Sequence, residues 1–208
     1  MEACEGIIEE GRKVNKAEEA RILANDLKAG PLEEVFLRSA GVYSKDTFLY
    51  REMNKALRTH DNSKLNTFGP FCFLFNTFLS RAVEFGSLYR NASILWRGID
   101  FPITEDWIET LKLNKDTLVS WHAFTSTTKR KSIASNFGNL LFQIFPPQAD
   151  CCKQTNHGAD ISTLSEFKDE EEVVFPPETC FIIKAIKQCD GKWIIELGCD
   201  EPQTFMPL

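Results

Sequence analysis

The sequence predicts an α+β fold, helices first and a mostly antiparallel sheet after them. In the N-terminal part, apolar residues recur at helical spacing. From Ser93 onward they gather in short runs, rich in β-branched and aromatic residues and bounded by Gly, Pro and Asp. The two patterns follow one another rather than alternating, which argues against βαβ units.

Taken in order, Ala17 to Lys28 carries Ile22, Leu23 and Leu27 at helical spacing, and Gly30-Pro31 reads as its stop. Ser44 reads as the cap of a helix from Lys45 to Thr59. There Phe48, Leu49, Met53 and Leu57 share one face, while Asn54 and Arg58 lie four apart on another. Gly69-Pro70 opens an apolar run, Phe71 to Val83, so aromatic that it reads as a helix buried on most sides. Strands are expected at Ser93–Arg97, Leu118–Phe124, Leu140–Phe145, Glu172–Phe175, Phe181–Lys187 and Lys192–Leu197. Asp190-Gly191 predicts a two-residue hairpin between the last two, and short helices are expected from Thr104 and Thr128. The piece from Pro146 to Glu166 is polar and proline-bounded, long enough to be a functional loop.

The 208 residues, 43% of them hydrophobic, suit one domain over 1–208. Such a domain buries roughly 70% of its unfolded surface. A formal charge of -6 disfavours a nucleic-acid or anionic-membrane binder, whose affinity comes from clustered Lys and Arg. No stretch approaches the ~20 apolar residues of a membrane-spanning helix. The start, Met1-Glu2-Ala3-Cys4-Glu5, lacks the charged-then-apolar pattern of a signal peptide. The seven cysteines are odd in number and form no CxxC pair, and His60, His122 and His157 stand at no metal-ligand spacing. The expectation is therefore a cytoplasmic monomer with free thiols and no metal; Cys180, Cys189 and Cys199 could pair in an oxidising setting.

Three separated segments carry chemistry: Trp96-Arg97-Gly98, Phe124-Thr125-Ser126-Thr127-Thr128, and Glu170-Glu171-Glu172-Val173. Each alone has an ordinary reading, as the polar face of a strand, a capped loop and a solvated acidic run. Together they supply what is needed to hold a pyrophosphate and stabilise a sugar cation, which points to NAD. Arg97 offers a planar, permanently charged donor for the pyrophosphate. Gly98 allows close backbone approach to a flat carboxamide. In an extended segment Glu170 and Glu172 would share a face, and like charges that close raise one pKa. A carboxylate beside the anomeric carbon complements a charge that exists mainly in the transition state, the part assigned to Glu172. Ser126 would orient the ribose and Glu172, and Phe137 would stack on the nicotinamide.

On these segments the chain resembles a mono-ADP-ribosyltransferase of the Arg-Ser-Glu type, the clade of clostridial C2-like toxins and vertebrate arginine-specific ectoenzymes, over roughly residues 30–200. The resemblance puts Arg97 on the family's first-strand arginine, Ser126 on its central serine and Glu172 on its catalytic glutamate. Glu170 falls on the first glutamate of E-x-E, which goes with arginine as acceptor. Tyr50, Asn54 and Arg58, within Tyr-Arg-Glu-Met-Asn-Lys-Ala-Leu-Arg, resemble the helix over the cofactor phosphates and adenosine. Phe137 matches the nicotinamide-stacking aromatic by its distance from the serine. The middle motif departs from the pattern, reading Thr-Ser-Thr rather than Ser-Thr-Ser. The implied fold is two small packed sheets in a split antiparallel core, with NAD in the cleft, helices above it, and the loop from Pro146 to Glu166 facing the acceptor. The implied activity is transfer of ADP-ribose from NAD, as co-substrate, to an exposed arginine of a protein acceptor. An NAD glycohydrolase and a degenerate NAD-binding module are the alternatives.

Overall fold

Small residues and a proline set the helical layer. In the computed structural model, which describes residues 1–28, 30–89, 93–146 and 158–198, the chain opens with α1 (Glu2–Lys13), a helix the periodicity does not announce. Its buried face is built from Ala3, Cys4, Gly6, Ile7, Glu10 and Gly11, so beside Ile7 and Glu10 it presents small residues that bring the backbone close to its neighbours. A Cβ at Gly6 would stand 1.9 Å from the Thr67 carbonyl oxygen of α5 (Leu65–Ser80). Helix α2 (Ala17–Lys28) falls where its spacing predicts. The Gly30-Pro31 stop is also a start: Pro31, at φ -65°, caps α3 (Leu32–Tyr43).

Ser44 therefore ends a helix instead of beginning one. Its amide donates to Ala40 O at 3.0 Å, and its hydroxyl to Gly41 O at 3.0 Å. Helix α4 (Phe48–Arg58) begins after Thr47 and buries Phe48, Leu49, Met53 and Asn54. Helix α5 starts five residues ahead of Pro70, which lies inside it. Only one side of α5 is buried: Phe71, Phe75 and Phe78 are fully enclosed, whereas Phe73 is 68% exposed.

Among the described residues, eight strands form the sheet: β1 (Leu95–Ile99), β2 (Leu118–Trp121), β3 (Thr125–Thr128), β4 (Leu140–Phe145), β5 (Ala159–Asp160), β6 (Glu172–Phe175), β7 (Thr179–Cys189) and β8 (Lys192–Gly198). Their order is β2-β7-β8-β4-β1-β3-β6-β5. Each neighbouring pair is antiparallel except β4 with β8. The expected strand Leu118–Phe124 is two strands on opposite arms: β2 pairs with β7, and β3 with β6. Thr128 closes β3; the short helix α7 (Lys131–Ala134) starts three residues later, while α6 (Glu105–Leu113) is capped by Thr104 as expected. The hairpin places Asp190 and Gly191 at φ 53° and 75°, the two positive values its turn requires.

The expected pair of small sheets is a single ladder with a weak seam. Strands β1 and β3 pair only at Trp96 opposite Thr128, so a five-stranded arm and a three-stranded arm diverge from that point. The helical layer covers the seam through Tyr43, which stacks on Phe75 (centroids 4.2 Å) and meets Phe124 edge-on at 5.6 Å.

Candidate active site

Where the arms part they leave a cleft of about 430 Å³. Lys45 and Tyr50 line it from the helical layer, Trp96, Arg97 and Gly98 from β1, Ser126 and Thr128 from β3, Phe137 from beyond α7, and Phe167, Glu170 and Glu172 from the far side. Arg97 bridges the seam, its Nη1 donating to Ser126 O at 2.7 Å. Gly98 is a glycine for an internal reason as well: a Cβ there would stand 1.9 Å from Ala134 O, where α7 presses on β1.

Glu172 begins β6 and is 7% exposed. Burial pushes its carboxyl up to about 7, and the neighbouring Glu170 adds to the rise. Hydrogen bonding from Ser126 and Ser165 and the charge of Arg97 act in the opposite sense. The two glutamates do share a site, though not by strand alternation. Glu170 ends a 3₁₀ turn, Lys168–Glu170, and Glu171 adopts a left-handed conformation (φ 47°, ψ 54°) before β6 starts. Glu170 is half-buried, and its carboxyl is likewise raised by desolvation.

The turn is clamped from β3 and the residues after it. Thr128 Oγ1 donates to Glu170 O, Lys129 N to Glu171 O at 3.4 Å, and Arg130 Nη1 to Asp169 O at 3.0 Å. Thr127 Oγ1 donates to Val173 O at 2.7 Å. The hydroxyl run and the basic residues behind it thus form one device that holds the acidic segment. Their signal was present in the sequence but gave no partner.

Arg97, Gly98, Ser126, Phe137, Tyr50, Glu170 and Glu172 come together on the cleft wall. Asn54 and Arg58 do not. Asn54 is buried behind Tyr43, and Arg58 stands at the end of α4, away from that wall. Residues 147–157 of the expected acceptor loop lie outside the described residues; beyond them β5 pairs with β6, and Phe167 and Glu170 are what reaches the cleft. Two residues escaped the sequence reading. Ser165, 3% exposed, accepts from Phe167 N at 3.1 Å and helps to hold the Glu172 carboxyl down against its burial. Tyr43, fully buried, places its hydroxyl 3.2 Å from Ser126 Oγ. Neither stands in a pattern that sets it apart from ordinary core or loop residues.

A cleft between diverging sheet arms, with a permanent cation at one wall, aromatic faces around it and paired carboxylates at its far side, fits a dinucleotide whose glycosidic bond is to be broken. No group of three or more metal-binding side chains occurs among the described residues. The fold and this cleft are those of the ADP-ribosyltransferase class. The family model for NAD:arginine ADP-ribosyltransferase matches residues 38–203, and the chain belongs to that family.

Ecto-ADP-ribosyltransferase 5 of Rattus norvegicus and of Mus musculus are each 28% identical to it over 155 residues, covering 72% of this chain and 46% of theirs. The chain thus spans about half the length of these curated relatives. Among solved structures, the ADP-ribosyltransferase HopU1 of Pseudomonas syringae superposes with a TM-score of 0.63 at 24% identity, over 79% of this chain and 75% of that one. Exoenzyme S of Pseudomonas aeruginosa, solved with human 14-3-3 protein beta and bound to Carba-NAD, gives 0.58 at 16%, over 94% and 86%. An ADP-ribosyltransferase of Clostridium botulinum gives 0.62 at 13%, over 95% and 96%. These structural likenesses establish the fold.

Proposed function

We propose that this protein transfers the ADP-ribosyl group of NAD to an arginine side chain of a protein acceptor and releases nicotinamide. The observation that carries the reading is the pair of carboxylates held differently in one cleft: Glu172 buried beside Ser126 and within the field of Arg97, Glu170 on an open turn two residues away. Arg97 holds the pyrophosphate, Gly98 offers its backbone to the carboxamide, and the half-exposed ring of Phe137 stacks on the nicotinamide. As the bond from the anomeric carbon to nicotinamide nitrogen lengthens, its electron pair leaves with nicotinamide. Positive charge then spreads over the ribose, where the ionised Glu172 faces it. The guanidinium is too basic to attack unaided, so Glu170 orients it and accepts its proton as the new C–N bond forms.

Tyr50 packs edge-on against Tyr43 at 5.2 Å and lines the cleft from the helical layer, where the adenosine would be received. Cytoplasmic residence as a monomer with free thiols completes the proposal; alkylation without reductant followed by mass spectrometry checks the thiols.

The deciding experiment measures nicotinamide release with and without a small guanidino acceptor. Release that rises with acceptor, together with labelled acceptor, supports transfer. Acceptor-independent release makes the protein a glycohydrolase, and no release makes it a binding module.

A further inference from the structure

Tyr43 belongs to α3, an element that contributes no side chain to the cleft wall, yet its hydroxyl reaches from that helix's buried face to the seam. Asn54 Nδ2 lies 3.5 Å from Tyr43 Oη, Tyr43 Oη lies 3.2 Å from Ser126 Oγ, and Ser126 stands beside Glu172, where its hydroxyl favours the ionised carboxylate. The ends of this chain dictate its direction. An amide nitrogen can only donate, and an ionised carboxylate can only accept. Each hydroxyl between them therefore accepts from the Asn54 side and donates toward Glu172. Asn54 Oδ1 is buried without a partner among the described residues.

We propose that Tyr43 is a positioning residue for the reaction, which with Asn54 polarises Ser126 so that its proton points at Glu172. The inference rests on the proposed role of Glu172. In a dry setting such chains strengthen each link, so loss of the tyrosine hydroxyl weakens the bond from Ser126 to Glu172. The charged and titratable groups facing this chain are Arg97 from β1, Glu170 from the turn before β6, and Tyr50 from α4, which sits against Tyr43. None of them is altered by replacing Tyr43 with Phe, and the ring that stacks on Phe75 is kept.

The test has two readouts. The first follows the Glu172 carboxyl by carbon-13 NMR titration of the wild-type protein and Tyr43→Phe. The variant is expected to titrate at higher pH, because the ionised form has lost support. An unchanged midpoint overturns the inference. A lower midpoint also overturns it, since that would mean the chain ran from Ser126 toward Asn54. This readout needs no catalysis, so a wild-type protein that releases no nicotinamide defeats the proposed function while leaving the inference to be judged.

The second readout is nicotinamide release. Tyr43→Phe should lower kcat roughly fivefold, the value of one hydrogen bond. In a Ser126→Ala background the same change should have no effect on kcat. An equal loss in both backgrounds would show that the hydroxyl acts on packing alone, and would overturn the proposal. If Tyr43→Phe fails to fold, Asn54→Leu removes the first donor and should move the Glu172 midpoint the same way by a smaller amount; no movement has the same adverse meaning.

Discussion

Glu172 and Glu170 differ in what holds them, although one residue separates them. Glu172 opens a strand whose four residues are all buried, with the hydroxyls of Ser126 and Ser165 favouring its ionised form and Thr127 fixing the carbonyl of the next residue. Glu170 sits on a one-turn helix whose three residues all escape full burial, and its backbone is held by contacts from Thr128, Lys129 and Arg130. A group that must meet charge appearing at one atom benefits from fixed, dry surroundings, because a preorganised site needs no rearrangement as the bond breaks. A group that must receive a protein surface benefits from exposure and some freedom. On the roles proposed above, a single acidic run divides bond cleavage from acceptor activation by a change of backbone conformation at one residue, Glu171, in the left-handed region.

The largest effect is expected at the buried member. Glu172→Gln keeps shape and removes charge, so NAD hydrolysis and transfer should both fall by about 100- to 1000-fold, measured as nicotinamide release and as labelled acceptor. Near-normal turnover would erase the distinction drawn above.

At the half-buried member the two activities should separate. In Glu170→Gln, transfer should drop by about 100-fold while slow hydrolysis persists, because the charge facing the cation is intact. Equal loss of both activities in the two variants would show that one role had been divided wrongly between them.

Arg97→Lys should weaken NAD binding by roughly tenfold, since a point charge cannot reproduce the guanidinium fork. Its link to Ser126 O across the seam adds a small loss of melting temperature. Calorimetric binding at wild-type affinity would remove Arg97 from the pyrophosphate role.

The smallest effect sharpens the contrast through pH. With the Glu172 carboxyl raised from about 4.5 to about 7 in the folded state, the native protein keeps a proton that the unfolded chain has lost. Stability should therefore fall as pH rises from about 4.5 to about 7 and then level. Glu172→Gln should remove that fall and melt higher than wild type at pH 8, while the two agree near pH 4.5. The same ionisation should give wild-type turnover an acid limb with a midpoint near 7.

The fold class and most of the site were legible because each rests on local chemistry. Period-two runs, the Asp190-Gly191 turn and the order of Arg97, Ser126 and Glu172 can be read without knowing what packs where. Other elements were hidden for definite reasons. α1 buries two glycines and small residues beside the single large apolar Ile7, Gly6 lying against the backbone of α5, so its pattern lacks the repeated large apolar positions that mark a helix. A break at residues 122–124 sends the two halves of an apparently continuous strand to different neighbours, which depends on pairing partners distant in sequence. Asn54 follows helical spacing to a buried place behind Tyr43, a fact set by the crossing of α3 and α4 with the sheet.

By itself, then, the sequence determined which groups the protein possesses for its chemistry: a permanent cation, a hydroxyl run and a close pair of carboxylates, in an order that resembles one family. The tertiary structure alone decided how each is set to work. It buried one glutamate and left its neighbour on an open turn, gave Gly98 a carbonyl to accommodate, and brought Tyr43 from an unremarked helix to the hydroxyl of Ser126. The physical reason is that ionisation, hydrogen-bond direction and exposure depend on surroundings assembled from segments far apart in the chain, and local pattern carries no record of them.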